Sequence, residues 1–310
     1  MCLSDSDLLL AYDTFRSELI EGGLLIPLGV AGVYGRSGVF EGIVDKLESF
    51  ISREGAFQNP EVMRFPPILS RETYIATDHI ENMPDLMGSV HSFDGGDRDQ
   101  RKLIERVHAG EQDWASDLRA TEVMLAPAAC YPLYPTATGV LPKQGRVVDL
   151  ETCVFRHEPS PDPARMQSFR QREFVRLGTA EQALEHRNSW LKRAETMLLS
   201  LGLDVQVASA NDPFFGRSGK FLKASQLELE LKFEILAPIC SSEKLTAISS
   251  CNYHLDHFGQ SFDIKTAGGQ AAHTACIGFG MERITLALLK AHGLNPQKWP
   301  VETKTILRIE

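Results

Sequence analysis

The sequence predicts an α+β fold in which helices flank an antiparallel sheet. Three observations carry this expectation. Residues 227–235 alternate: Leu227, Leu229, Leu231, Phe233 and Ile235 fall on one side, Glu228, Glu230, Lys232 and Glu234 on the other, the period of a half-buried strand. Residues 147–155 have strand-rich composition, Pro159, Pro161 and Pro163 forbid a helix, and 169–175 resume an extended run. Two stretches repeat apolar residues at helical spacing: Phe40, Ile43, Val44, Leu47, Phe50 and Ile51, then Leu184, Leu191, Ala194, Leu198 and Leu201.

Taken in order, residues 5–20 read as a helix with Leu8, Leu9, Tyr12, Phe15 and Leu19 near one face. The apolar run 23–33 is broken by Pro27, Gly29 and Gly32 and falls short of the ~20 residues a membrane span needs. Ser37 opens the helix at 38–54, Gly55 reads as its stop, and a strand carrying Pro66 and Pro67 follows. Asp94 to Asp99 reads as a polar turn, and 97–119 as a charged helical segment without an assigned role. The helix at 180–201 carries His186, Lys192 and Arg193 opposite its apolar stripe, either a solvated face or a docking surface for an acidic partner. Residues 245–251 form a strand that ends at Asn252; His254, Asp256 and His257 read as a polar strand end rather than a metal cluster. A last strand at 274–277 leads through Gly278 and Gly280 into a helix with Arg283 in its first turn.

Composition bounds the function. The chain has 310 residues, 43% hydrophobic and 24% charged, as expected of a globular protein. Its formal net charge of −9 argues against a large nucleic-acid surface. Six cysteines without a CxxC pair suggest a reduced compartment, and the acidic N-terminus has no positive n-region, so a cytoplasmic location is expected.

Chemistry concentrates on the strand–loop–strand unit. Alternate strand residues share a face, so Arg156 aligns with Glu158, and Phe169 with Gln171 and Glu173. An arginine suits a phosphate and a flat ring suits a base. Glycines at 278 and 280 let a ligand approach the backbone closely. On the alternating run the charged side, with Lys232 and Glu234, is either a solvated face or the lining of a cleft. Cys130, Glu173 and Cys276 could form a zinc site with one open position; two ordinary buried cysteines and a bonded carboxylate fit the same spacing. His273 sits at odd spacing from Cys276 and should face away.

Arg156-x-Glu158, a loop, and Phe169 on a strand resemble motif 2 of class II aminoacyl-tRNA synthetases, and Gly278-x-Gly280-x-x-Arg283 resembles their motif 3. The segment from Ser37 to Glu41 with the strand near Pro66 resembles motif 1, the dimerisation element, and Met83 to Gly88 resembles the segment that follows it. The match covers roughly residues 24–295. The resemblance implies a class II synthetase-like antiparallel sheet, a homodimer, and adenine held between Phe169 and Arg283, with Arg156 on the α-phosphate. In methanogen-type seryl-tRNA synthetases a Cys before motif 2, a Glu within it and a Cys before motif 3 bind zinc; Cys130, Glu173 and Cys276 occupy the matching positions.

Neither an N-terminal tRNA-binding arm nor an anticodon domain has room, so residues 1–310 are expected to be one catalytic domain that does not bind tRNA. Arg156-His157-Glu158-Pro159-Ser160, the stretch from Asn211 to Gly216, Asn252-Tyr253-His254 and His273-Thr274-Ala275-Cys276 resemble the amino acid:[carrier protein] ligases. That resemblance implies activation of a small amino acid, glycine first and alanine second, and its transfer to a phosphopantetheine thiol on a carrier protein. Ala129, Glu173 and Asn252 would bind the amino acid; Arg156, Glu158, Phe169, Lys232, Glu234 and Arg283 would bind ATP with magnesium; Arg156 and Arg283 would be catalytic. One departure is visible. Where bacterial seryl enzymes have a Glu six positions before the Asn, this chain has Thr246, leaving more of the metal–phosphate contact to Glu234. The alternatives are a synthetase-like enzyme that charges tRNA with a separate binding partner, and a non-catalytic paralogue.

Overall fold

Pairing across a seven-stranded sheet organises the chain in the computed structural model, which describes residues 4–310, with the backbone alone at 217, 218, 221 and 225. The first three residues of the acidic N-terminus lie outside the described residues. The strands are β1 (Glu61–Arg64), β2 (Arg146–Phe155), β3 (Ser168–Gly178), β4 (Gln206–Ser209), β5 (Lys232–Ala237), β6 (Thr246–Tyr253) and β7 (His273–Gly280), in the order β4-β5-β6-β7-β3-β2-β1. Neighbours run antiparallel except β1, which lies parallel to β2 at the edge. The helices are α1 (Asp5–Glu21), α2 (Gly38–Gly55), α3 (Arg71–Ala76), α4 (His79–Asn82), α5 (Asp97–His108), α6 (Ala180–Ser200), α7 (Gly216–Glu228), α8 (His257–Ser261), α9 (Met281–His292) and α10 (Val301–Leu307). Among the described residues no helix is long and apolar enough to cross a membrane.

The α2 stripe is buried as its spacing predicts, from Phe40 through Ile51. Each such large apolar side chain contributes roughly 1.5–3 kcal/mol by leaving water. Gly55 closes α2 for a packing reason: a Cβ there would stand 2.3 Å from the Phe174 ring. The chain turns only later, at Asn59, which is left-handed with φ 46°. Phe174 stacks on Trp190 of α6 at 4.6 Å. Trp190 Nε1–H donates to Gln58 Oε1 at 2.8 Å, Gln58 Nε2–H to His186 Nδ1 at 3.1 Å, and His186 Nε2–H to the Phe174 carbonyl at 3.0 Å. The side-chain polar atoms of Trp190, Gln58 and His186 are all partnered in this relay when His186 is neutral.

That chain corrects the reading of α6. His186 is core, Arg187 is buried and donates to the Glu230 carbonyl, and Arg193 pairs with Glu54 over the Phe57 ring. Lys192 alone of the three predicted cations is exposed, beside Glu181 and Glu185, so α6 presents no cationic face. Leu184, placed on the apolar stripe by spacing, is 38% exposed.

Three other expectations shift. The alternating run is not one strand: Leu227 and Glu228 end α7, Glu230 turns at φ 49°, and the strand begins at Lys232. β4 and β6 offer partners only from residue 232 onward, so the alternation before it has no ladder to join. Pro66 and Pro67 lie between strands, after β1 ends at Arg64 and before the short strand Ile68–Ser70, since proline cannot donate to a ladder. The 97–119 segment is α-helical to His108 and resumes as a 3-10 turn at Trp114–Asp117; Leu118 starts the strand Leu118–Leu125, and the polar turn at 94–99 is shortened because α5 begins at Asp97.

Candidate active site

Directly paired residues of an antiparallel sheet share a face. Two rows therefore cross one face here: Lys232, Asn252 and Cys276, and beside it Glu234, Ser250, Gly278 and Glu173. A Cβ at Gly278 would stand 3.4 Å from Gln171 Nε2, 3.6 Å from Ser250 Oγ and 3.7 Å from Glu173 Cγ. Those are ordinary contacts, so glycine here opens floor space rather than relieving a clash. Gly278 and Gly280 are the end of β7, a longer strand than its sequence suggested.

At one end of this face the strand–loop–strand unit delivers its arginine. The Arg156 and Arg283 guanidinium carbons lie 5.6 and 5.7 Å from the centre of the Phe169 ring. Arg283 is fixed by Nε–H to the Ala164 carbonyl at 2.8 Å and Nη1–H to the Ala247 carbonyl at 3.0 Å; Arg156 Nε–H reaches the Pro127 carbonyl at 3.1 Å. Burial and the Arg156 and Arg165 charges push Arg283 down to about 10. Glu158 pairs with Arg165 at 3.1 Å. Neither Arg156 nor Arg283 has a carboxylate ion pair among the described residues, an arrangement that favours an anion. Behind them, Glu282 accepts Arg170 N–H at 2.7 Å and Arg170 Nε–H at 3.0 Å, while Arg170 also pairs with Glu41, locking α9 to β3 and α2.

Lys232 is not a bare cation. Its Nζ lies 2.6 Å from Asp212 and 3.3 Å from Glu234, and Gln226 Nε2–H donates to the other Asp212 oxygen at 2.8 Å. Burial acts against both charges, yet the pair raises Lys232 and lowers Asp212 from their ordinary values.

The predicted metal ligands converge. Cys130 and Cys276 hydrogen-bond each other, and both act on Glu173. The Cys130 hydrogen bond first, then His254 Nε2 at 3.7 Å and Asn252 Nδ2–H at 3.4 Å from Cys276 Sγ, make Cys276 the sulfur that favours the thiolate. Burial first, then Cys276, pushes the Glu173 carboxyl up to about 8. Its Oε1 accepts the Ala129 N–H at 3.2 Å, while buried Oε2 has no partner. Among the described residues no group of three or more His, Cys, Asp or Glu is arranged as a metal cage. His273 faces away, with Nδ1 2.6 Å from Tyr253 Oη.

Sequence reasoning missed several lining groups. Gln171, placed beside Glu173 by strand spacing, shares the Ala129 N–H with it, a contact the spacing did not specify. His254 was read as a strand end yet lies against Cys276. Asp212 and Arg165 come from loops whose direction no periodicity encodes. Over the face, α4 brings His79, with Nδ1 3.4 Å from Tyr131 Oη.

Residues 114–292 match the family model of the class II tRNA synthetase core domain (G, H, P, S and T). Two relatives from Bradyrhizobium diazoefficiens are named amino acid–[acyl-carrier-protein] ligase 2 and 1. The first is 42% identical over 92% of this chain and 85% of its own. The second is 40% identical over 93% of this chain and 88% of its own. The type-2 serine–tRNA ligase of Methanopyrus kandleri is 27% identical over 84% of this chain, which spans 53% of that relative. The solved structure of M. kandleri SerRS with A. aeolicus tRNASec superposes at TM-score 0.79 and 22% identity, over 94% of this chain and 60% of that one.

Proposed function

The chain belongs to the class II tRNA synthetase core family and, within it, to the amino acid–[acyl-carrier-protein] ligases, and from that membership we propose that it activates a small amino acid with ATP and passes the acyl group to the phosphopantetheine thiol of a carrier protein. The observation that carries the activation step is one sheet face that joins an unpaired arginine couple around Phe169 to an open glycine floor and a thiol–carboxylate cluster. The acceptor follows the named relatives, and the acidic net charge of −9 supports a carrier over tRNA.

In this proposal the adenine lies against Phe169 and Arg283, and Arg156 takes the α-phosphate. Its charge meets the negative charge that develops during in-line attack. Glu158 and Glu234 are the carboxylates available to magnesium, and Lys232 orients Glu234 and Asp212 rather than binding phosphate alone. Asn252 and Ala129 line the amino-acid end.

The donor set fits zinc: two thiols and a buried carboxylate whose Oε2 lacks a partner. Cys130, Glu173 and Cys276 would hold it. When bound, zinc supplies a Lewis-acid site for the substrate amino group. The chain's own residues then fix the carboxylate near the α-phosphorus, and proximity does most of the catalysis.

Glycine is the expected substrate and alanine the runner-up. One methylene in a pocket is worth only ~1–3 kcal/mol, so the two compete and serine is poor. We further propose a homodimer across α2 and β1, where Val62 on the sheet edge is 63% exposed and Val39 is 51% exposed; a monomer in sedimentation would remove it. One catalytic domain spanning 1–310 in a cytoplasmic setting completes the reading, supported by a sheet whose strands run from residue 61 to 280 and by free described cysteines. Pyrophosphate exchange with glycine, alanine and serine tests the activation step. No exchange with any small amino acid would refute it.

A further inference from the structure

One buried polar side chain, packed between Tyr74 and Tyr131, has a nitrogen with nothing to bond. His79 is 3% exposed, and its Nε2 has no hydrogen-bond partner among the described residues. Its other nitrogen lies 3.4 Å from Tyr131 Oη, and the Tyr74 and Tyr131 rings meet it edge-on at 5.1 and 5.9 Å. The short helix that carries it is clamped on both sides: Phe215 N–H donates to the Asn82 carbonyl at 2.7 Å, and Asp78 pairs with His257 at 3.7 Å. An unsatisfied buried nitrogen on a fixed support calls for a ligand atom.

Tyr131, which it touches, directly follows Cys130, so His79 stands behind the thiol end of the proposed site. Burial lowers its pKa to about 4, with Arg156 next among the causes, while Asp85 and Asp212 act the other way. Arg156 is the proposed phosphate contact, and Asp212 belongs to the Lys232 cluster, so the charges that reach His79 stand on both flanks of the cleft. The remaining titratable groups packed on it, Tyr74 and Tyr131, are raised above their ordinary values by burial and stay neutral.

We propose that His79 is the general base of thiol transfer, with Nδ1–H donating to the Tyr131 oxygen and Nε2 accepting the thiol proton. This rests on the thiol-acceptor reading above. The sulfur lone pair forms the S–C bond to the adenylate carbonyl, and the S–H proton goes to Nε2. The C–O bond to phosphate breaks, AMP leaves with that electron pair, and the proton passes to water. The step needs help because only a few per cent of a thiol is ionised at pH 7. An adenylate phosphate on Arg156 offsets that cation's share of the lowering, which ranks after burial, so the proton affinity of His79 rises once the acyl group is in place.

The test compares wild type with H79Q, and with Y131F, which removes the Nδ1 partner. Pyrophosphate exchange is measured alongside transfer to holo-carrier, to free pantetheine and to small thiols of falling pKa. H79Q should lose pantetheine transfer by about 10²-fold or more, the scale of general base catalysis. That loss should exceed its loss of exchange and shrink as the thiol becomes ionised at the assay pH; Y131F should show the same trend more weakly. Equal losses for every thiol would assign His79 a structural role and overturn the proposal, as would no loss. Failure of wild type itself to acylate any thiol would instead overturn the acceptor reading, and this role with it.

Discussion

The guanidinium carbons of Arg156 and Arg283 stand 5.6 and 5.7 Å from the centre of a single ring, Phe169. Two half-buried cations share that ring, and desolvation, then the Arg156 and Arg165 charges, push Arg283 down to about 10. The geometry is stable because backbone carbonyls hold Arg283, and it is completed by an anion. Arg156→Ala and Arg283→Ala should each cost adenylate formation about 2.7–4 kcal/mol, the scale of one preorganised charge-stabilising group. Near-normal pyrophosphate exchange in both variants would contradict this assignment.

Gly278→Ala separates space from stability. The glycine has no left-handed φ, and the added methyl meets neighbours at 3.4–3.7 Å, so the fold should tolerate it. The methyl occupies the floor beside Glu173 and Gln171. Thermal melting should stay close to wild type while amino-acid activation falls steeply. A large drop in melting temperature would show that the glycine is structural.

Cys276→Ala should reduce bound zinc from one per chain to none and abolish amino-acid activation, with the folded dimer retained. Metal analysis of the purified protein and its variant reads this out. Full activity in a metal-free preparation would end the metal assignment.

Acid stability reports the buried hydrogen-bond chain through His186. Its pKa falls from 6.5 to about 4, mainly by burial. The folded state therefore resists the proton that the unfolded state takes up, so stability is lost as pH falls from about 6.5 to about 4. The full effect is about 3 kcal/mol. His79 is likewise lowered to about 4 and contributes its own slope. His186→Gln should reduce the pH slope of unfolding free energy across that window without abolishing it. An unchanged slope would show that His186 does not titrate as its contacts imply.

The sequence was most legible where local chemistry and pairing agree. The unit around Arg156 pairs from Arg146↔Leu177 to Phe155↔Ser168, because strand composition on both sides is joined by a proline-rich turn. The helix at Gly38–Gly55 buries every residue of its predicted stripe. Alternation misled at Leu227 and Leu229, which are 42% and 56% exposed, because a period-2 pattern creates a face only where a neighbouring strand exists. His186 was misread because a helical wheel shows a polar residue but not the Gln58 and Phe174 partners that let it be buried. Arg156, Glu173, Cys130 and Cys276 were singled out by motif resemblance, and the fold brings Glu173 and the two cysteines together. Asp212 and His79 were not singled out, since long-range packing alone brings them there.

Enzyme incubated with ATP and labelled glycine, and with either holo-carrier protein or total tRNA, decides between the two acceptors. Label is expected on the carrier thiol, released by thioester cleavage, with none held stably on tRNA. Stable label on tRNA with none on the carrier would contradict this reading.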